Sequence, residues 1–341
     1  MTQKHTRAIL VGLGTVNRGW LNLMQDKQRE LHQRGIHFDI VGVADSSGVA
    51  VNDQGYSVQA LLALKGSGQK VSSLTGYRPG VPAAQLLDHV EADVLIESSP
   101  ANLIDGEPGL TIARAALHKG ISVVFANKTP LVFAFDELQL LCERHKGRMA
   151  YSATVCGGLP VVNVLKRDLK LAQIKRIRGI FNATSNFVLR ELERGGTLEE
   201  AIREAQRLGA AEADPTHDLH GHDTANKLYI IMKSCSDFRG SIADIRTTGI
   251  QRVTTEGLKA ARSREHIIKL MAEAVQVDGG WNLSVAPAEI PRSSFLGSCE
   301  GWEMGFEIET DLYERICMKN YEADPMGTSA AVMRDCLELV Q

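Results

Sequence analysis

The sequence predicts an α/β protein in two parts: a doubly wound parallel sheet over residues 1–150, then an α+β part with a mixed sheet over residues 151–326. A last helix, residues 327–341, packs back on the first part. Three observations carry this. Short apolar runs alternate with amphipathic segments through the first half, the pattern of βαβ units. A glycine turn, Gly12-Leu-Gly14, joins the first apolar run to the first amphipathic one. Beyond residue 150 the alternation stops, and helices give way to two hairpin patterns.

Composition narrows the function classes. At 341 residues the chain can bury two cores, and 44% hydrophobic with 23% charged residues is ordinary for a soluble globular protein. A net charge of −3 leaves no electrostatic footprint for nucleic acid or anionic lipid, so a small metabolite is the expected partner. The first apolar run is far too short for a signal or membrane segment. Six scattered cysteines without a C-x-x-C pair point to reduced thiols in a cytoplasm.

RAILVGLG reads as a buried strand entering a glycine turn, and VNRGWLNLMQDKQRELHQRG as a helix with Trp20, Leu23 and Leu31 on one side. Gly12 and Gly14 permit a tight turn and the close approach of a pyrophosphate to the helix N-terminus, where backbone N–H groups and the helix dipole favour anions. Asn17 stands where the third glycine of a Rossmann-type fingerprint is expected. The next strand, FDIVGVAD, ends in Asp45, placed to accept from adenosine ribose hydroxyls. No arginine follows it in Ser46-Ser47-Gly48 to hold a 2′-phosphate, which favours NAD over NADP.

Residues 48–90, rich in Gly, Ser and Gln, read as a surface insertion with one short helix around Val58 to Lys65. Alternation resumes with the strand ADVLIESSP, the helix TIARAALHKG and the strand ISVVFANKTPLV. Ser98, Ser99 and Lys128 thereby fall at carboxyl ends of parallel strands, the edge where open α/β sheets bind ligands. FDELQLLCERHKG follows as a helix and RMAYSATV as a strand.

In the second part, GGLPVVNVLKRDL is a glycine turn into a helix. QIKRIRGIFNATSNFVLREL reads as a strand running through Asn182, Thr184, Ser185 and Asn186 into a helix. Thr197 to Glu200 forms a capping box for the next helix. The stretch AEADPTHDLHGHDTANKL then gathers Glu212, Asp214, Asp218 and Asp223 ahead of Lys227. Four residues separate Asp223 from Lys227, so a helix there puts both on one face. The bland reading is a solvated acidic turn. His217, His220 and His222 invite a metal reading, but they share no regular spacing and no cysteine joins them. Two strands around Asp278-Gly279-Gly280 and a second pair in GFEIETDLYERICMKN complete this part.

In this order the motifs resemble homoserine dehydrogenases, NAD(P)-dependent enzymes that interconvert L-homoserine and L-aspartate 4-semialdehyde. AEADPTHDLHGHDTANKL is similar to the family's A-E-x-D-P-x-x-D-x-x-G-x-D-x-x-x-K signature. Further matches are Asn127-Lys128, Gly157-Gly158-Leu159-Pro160, Asn182-Ala183-Thr184-Ser185-Asn186 and Thr328-Ser329-Ala330. The resemblance implies Lys227 as proton donor, Lys128 near nicotinamide and substrate, and Glu212, Asp218 and Asp223 as substrate binders, with Thr184, Asn182 and Gly158 beside them. It implies NAD or NADP held by Gly12, Gly14, Thr15, Val16, Asp45, Ser98, Ser99, Asn127, Lys128, Gly327 and Thr328, and a homodimer formed through the second part. The family also uses the backbone around Val155, Gly157 and Leu159 for a monovalent cation (Na+ or K+), with a glutamate where this chain has Ser152; losing that carboxylate weakens the case for the ion. Ala183 and residues 319–325 depart from the family pattern as well, which leaves room for another hydroxy amino acid or its aldehyde as substrate. A catalytically silent NAD(P)-binding protein is the alternative from another class.

Overall fold

The computed structural model describes residues 4–208, 214–322 and 324–340. The chain divides into two compact units, residues 1–158 with 325–341, and residues 159–324. Among the described residues, no helix is long and apolar enough to cross a membrane.

The first unit contains β1 (Lys4–Val11), α1 (Thr15–Asp26), α2 (Gln28–Gln33), β2 (Ile36–Asp45), β3 (Gly48–Tyr56), α3 (Val58–Gly66), β4 (Tyr77–Arg78), β5 (Val94–Glu97), α4 (Gly109–His118), β6 (Ser122–Phe125), α5 (Thr129–His145) and β7 (Met149–Ala150). They build one seven-stranded sheet in the order β4-β3-β2-β1-β5-β6-β7. From β2 to β7 the strands are parallel, with β1 central. β5 is buried throughout, as a strand covered on both faces requires.

The second unit holds a one-turn helix α6 (Val161–Asn163) that runs on into a wider π turn, then β8 (Ile174–Ile180), α7 (Ala183–Glu193), α8 (Leu198–Arg207), α9 (Thr216–Leu219), α10 (His222–Cys235), β9 (Arg246–Thr247), α11 (Thr255–Ser263), β10 (His266–Val277), β11 (Gly280–Pro291), β12 (Glu303–Thr310) and β13 (Arg315–Tyr321). Its six strands run β13-β12-β8-β10-β11-β9, antiparallel except for the β11–β9 pair, so this sheet is mixed. Arg178 on β8 stands opposite Glu273 on β10 and Glu307 on β12, a charged row across the middle of the sheet. The final helix, α12 (Met326–Val340), returns to the first unit. There Ala331, Val332, Met333, Cys336 and Val340 share a core with Trp20 and Leu21 of α1.

Four local readings need correction. Residues 48–90 are not merely a surface insertion, because β3 and β4 extend the sheet antiparallel beyond β2. Val49 and Ala50 are buried there, although the same strand carries Asn52, Asp53, Gln54 and Gly55. At Gly76, with φ of +80°, a Cβ would lie 2.0 Å from the Val51 carbonyl oxygen, so only glycine fits. Asn182 does not continue a strand: β8 stops at Ile180, and the Asn182 side chain caps α7 by accepting from the Ser185 N–H at 2.7 Å. α5 begins at Thr129, earlier than the amphipathic pattern shows, with Pro130 in its first turn where a missing N–H costs nothing. The RMAYSATV strand shortens to β7, and Ser152–Thr154 closes into a 3-10 turn.

Candidate active site

In the first unit, the carboxyl ends of β1 and β5 meet at the glycine turn. The Gly12 N–H donates to the Ala44 carbonyl at 2.8 Å, and the Ser98 N–H donates to the Val11 carbonyl at 2.9 Å. Gly12 has a φ of +79°, and a Cβ there would stand 2.4 Å from the Ser98 carbonyl oxygen. Gly14, the residue before α1, is exposed, and a Cβ on it would meet nothing within 4 Å. The start of α1 has no side-chain cap and no acidic residue in its first turn. An exposed helix start of this kind, with backbone N–H groups directed outward, fits a dinucleotide's pyrophosphate. Thr15 is exposed and Val16 half-buried in that turn.

Asn17, in the place of the third fingerprint glycine, is fully buried and reinforces the turn from within. Its Nδ2 donates to the Gly12 carbonyl at 2.6 Å and to that of Val11 at 3.3 Å. Close helix packing is supplied two residues later, where Gly19 faces Ser329 of α12.

Asp45, at the end of β2, is engaged within the unit. One carboxylate oxygen accepts from the Ser47 N–H at 2.8 Å and its hydroxyl at 2.6 Å. The other accepts from Lys65 Nζ at 2.9 Å and the Val71 N–H at 3.1 Å. Burial alone would raise this carboxyl, but the hydrogen bonds from Ser47, Lys65 and Val71 outweigh it and hold the group down at about 2. Lys65 brings a cation to this corner from α3, a feature that looking for an arginine directly after Asp45 does not reveal.

At the ends of β5 and β6 lies a cluster that the sequence reading missed in part. Ser99 donates its N–H to Glu97 Oε1 at 2.9 Å and its hydroxyl to the same oxygen. Asn127 Nδ2 donates to Ser99 Oγ at 3.4 Å, and Asn127 Oδ1 accepts from the Thr129 N–H at 3.0 Å. Glu97 is wholly buried, and burial pushes its carboxyl up to about 7 despite the hydrogen bonds from Ser99 and Asn127. Ser98 and Lys128 are half-buried on this edge, with Lys128 immediately preceding α5.

Ser152 donates its N–H to Asp335 Oδ2 at 2.7 Å and its hydroxyl to Oδ1 at 2.5 Å, so α12 presents a buried carboxylate to this position. Val155 follows with ordinary extended geometry, while Cys156 and Gly157 both take positive φ, of +55° and +53°. Gly158 and Gly327 approach so closely that a Cβ on Gly158 would lie 3.3 Å from the Gly327 Cα. Thr328 is half-buried in the first turn of α12. Leu159 opens the second unit and is buried.

In the second unit, the start of α7 together with α9 and α10 brings four polar side chains together. Lys227 Nζ donates to the Phe181 carbonyl at 2.7 Å and pairs with Asp223 Oδ2 at 2.8 Å. Asn182 Nδ2 donates to Asp223 Oδ2 and Asp218 Oδ1, each at 2.8 Å. The Lys227 side chain is 14% exposed and that of Asp223 is 8% exposed, which strengthens their interaction relative to a surface pair. Gly221, with φ of +82°, starts α10 and turns the chain between α9 and α10. Thr184 is buried in the first turn of α7. Asn226 Nδ2 and His217 Nε2 are 3.3 Å apart beside this cluster. Glu212 lies outside the described residues.

The first unit thus carries a turn whose geometry suits a dinucleotide, and the second a half-buried amine among carboxylates. Comparison with known proteins agrees in family. Residues 12–152 match the family model "Homoserine dehydrogenase, NAD binding domain", and residues 160–337 match "Homoserine dehydrogenase". A homoserine dehydrogenase of Methanocaldococcus jannaschii is 32% identical over 97% of this chain and 97% of its own length. An NAD(+)-dependent homoserine dehydrogenase of Pseudomonas canavaninivorans is 30% identical over 97% of this chain and 95% of its own. The structure of an Archaeoglobus fulgidus protein assigned as a homoserine dehydrogenase superposes with a TM-score of 0.87 at 33% identity, covering 98% of both chains. That of a hyperthermophilic archaeal homoserine dehydrogenase mutant in complex with NADPH gives 0.83 at 26% identity, covering 98% of this chain and 97% of that one. The chain belongs to the homoserine dehydrogenase family, the NAD(P)-dependent oxidoreductases that interconvert L-homoserine and L-aspartate 4-semialdehyde.

Proposed function

We propose that this chain carries out the family reaction with Lys227 as the proton donor and acceptor. The observation that carries the reading is the Lys227 ammonium, set between the Phe181 carbonyl and Asp223 on an α10 turn whose neighbours are almost entirely buried. Bound nicotinamide supplies or accepts the hydride at the reacting carbon. Lys227 stabilises the alkoxide that develops when the aldehyde is reduced and delivers its proton to that oxygen; in the reverse direction it takes the hydroxyl proton back. Asp223 keeps the ammonium in place. Asp218, Asp223 and Glu212 give an α-amino group its carboxylate partners, which selects amino-acid aldehydes over plain ones. Asn182, Thr184 and Gly158 complete the substrate contacts in this reading, and Lys128 adds a second positive charge near nicotinamide and substrate.

The cofactor is held in this reading by Gly12, Gly14, Thr15, Val16, Ser98, Ser99, Asn127, Lys128, Gly327 and Thr328, with Asp45 at the adenosine ribose. NAD is the preferred form on the strength of Asp45, while Lys65 brings a cation to the same corner that could meet a 2′-phosphate. A monovalent cation at the Val155, Gly157 and Leu159 backbone and a homodimer through the second unit's sheet belong to the same proposal, as does a cytoplasmic setting.

The deciding experiment is steady-state assay of the wild type and Lys227→Ala with L-homoserine and a panel of hydroxy amino acids, using NAD and NADP in turn. The proposal expects Lys227→Ala to lose turnover while nucleotide still binds. An unimpaired variant sinks the role of Lys227. Turnover of a panel member in preference to L-homoserine moves the substrate, and nucleotide binding without any turnover points to a silent binding protein.

A further inference from the structure

At the amino-terminal edge of the first unit's sheet, away from the glycine turn at the opposite ends of these strands, three side chains form a compact donor set. His5 on β1 and His37 on β2 are register partners on adjacent parallel strands. Asp39 lies two residues beyond His37, so its side chain projects from the same face of the sheet. His5 Nδ1 is 2.8 Å from Asp39 Oδ2, and His37 Nε2 is 3.2 Å from Asp39 Oδ1. One ligand atom from each of the three lies within 4.8 Å of the others. His32, from α2, brings a third imidazole, its ring centroid 5.8 Å from that of His37, while the His5 and His37 rings are 4.8 Å apart.

We propose that His5, His37 and Asp39 form a site for one divalent transition-metal ion of the zinc class, with His32 or water as the fourth ligand. The donor types select this class: imidazole with one carboxylate suits zinc, copper or nickel, whereas calcium and magnesium need oxygen-rich shells. The spacing suits it too. Ligands about 2.0–2.1 Å from a tetrahedral ion stand about 3.3 Å from one another, and the two donor pairs at 2.8 and 3.2 Å are already near that value. The three residues sit on two strands whose pairing fixes their Cα positions, so only side-chain rotation is needed to converge on an ion.

Access is open. The His5 side chain is 57% exposed, and His32, His37 and Asp39 line a cleft of about 370 Å³ with Gln28, Gln54 and Gln59. Arg7, the register partner of Asp39, is matched elsewhere: it donates to the Asp53 carboxylate at 3.0 Å and to the Glu91 carbonyl at 2.8 Å. Without metal the Asp39 carboxylate is hydrogen-bonded to His5 Nδ1 and stands 3.2 Å from His37 Nε2, so an ion would replace these contacts rather than fill a void. A bound ion ties the first residues of β1 to β2, and metal binding to the folded chain alone stabilises it.

The test is calorimetric titration of the metal-stripped full chain with Zn²⁺, alongside thermal unfolding with and without the ion. The wild type is expected to take one ion more per chain than His5→Gln/His37→Gln, and Zn²⁺ is expected to raise the unfolding temperature of the wild type only. Asp39→Asn should weaken that site by about tenfold or more. Substituting the other close histidine pair, His118 and His145, whose rings are 4.3 Å apart, should leave it unchanged. Equal stoichiometry and affinity in the wild type and the double variant overturn the proposal, as does the absence of Zn²⁺ binding to the wild type. Should the double variant not fold, Asp39→Asn decides on the same readouts.

Discussion

Asn182 Nδ2 lies 2.8 Å from Asp223 Oδ2, and the other end of the same side chain starts α7. One amide thus joins the capping of a helix to the spacing of two carboxylates, since Nδ2 also reaches Asp218. Asn182→Ala should cost about 1–2 kcal/mol in urea unfolding through loss of the cap, and lower kcat/KM by about 100-fold through misplaced carboxylates. Asn182→Asp keeps an acceptor for the Ser185 N–H but sets a third negative charge against the other two. It should remain folded and still lose activity. An active Asn182→Asp enzyme is incompatible with this bridge positioning the carboxylates.

Glu97 makes the first unit's stability sensitive to pH. Its ordinary value is 4.5, and burial lifts it to about 7 in the folded chain. Between these values the unfolded chain has released the proton while the folded chain retains it, so stability falls as pH rises through this window and levels off above it. Glu97→Gln keeps the shape and removes the titration. Chemical denaturation at a series of pH values should show a shallower decline for the variant, with a gain over the wild type at and above pH 7. Parallel profiles would mean that Glu97 does not titrate in this range.

Gly19 and Ser329 leave no room for a methyl group. A Cβ on Gly19 would stand 2.2 Å from Ser329 Oγ and 2.9 Å from its Cβ, so turning the hydroxyl away does not relieve the contact. Gly19→Ala should destabilise the chain by about 1–3 kcal/mol through overpacking, outweighing the roughly 1 kcal/mol that alanine gains over glycine in a helix. Adding Ser329→Gly should recover part of the loss, and a double-mutant cycle measures the coupling.

Lys65 tests the cofactor corner. If the ribose is read at Asp45, then Lys65→Ala withdraws the cation that would meet a 2′-phosphate, and the ratio of kcat/KM for NADP over NAD should fall by about tenfold, the equivalent of 1.4 kcal/mol. A ratio unchanged in Lys65→Ala places the 2′ position elsewhere.

What the sequence revealed of this architecture was local. Gly12 and Gly14 sit between an apolar run and an amphipathic one, and Asp223 and Lys227 are one helical turn apart, so both arrangements follow from short-range geometry. β3 was hidden because it carries Asn52, Asp53, Gln54 and Gly55, residues that favour turns, and is a strand only because β2 pairs with it. Glu97 drew no reading from the sequence, which does not show that α4 covers it: a Cβ on Gly109 would be 3.0 Å from its carboxyl carbon. Asn17 read as a defect in a glycine pattern, although its amide supplies hydrogen bonds that a glycine lacks. Ser152 and Asp335 are 183 residues apart, a separation that no local pattern bridges.

The return of α12 to the first unit bears on the order in which the chain is made. Domains commonly fold as they emerge, the N-terminal one first. Here the first unit still lacks Ala331, Val332, Met333 and Cys336 when residue 158 has been synthesised, and Trp20 has no finished core to enter. The second unit, continuous from 159 to 324, is complete earlier. The first unit's core is therefore complete only once the whole of the second unit has been made, when α12 brings Ala331, Val332, Met333 and Cys336 against Trp20.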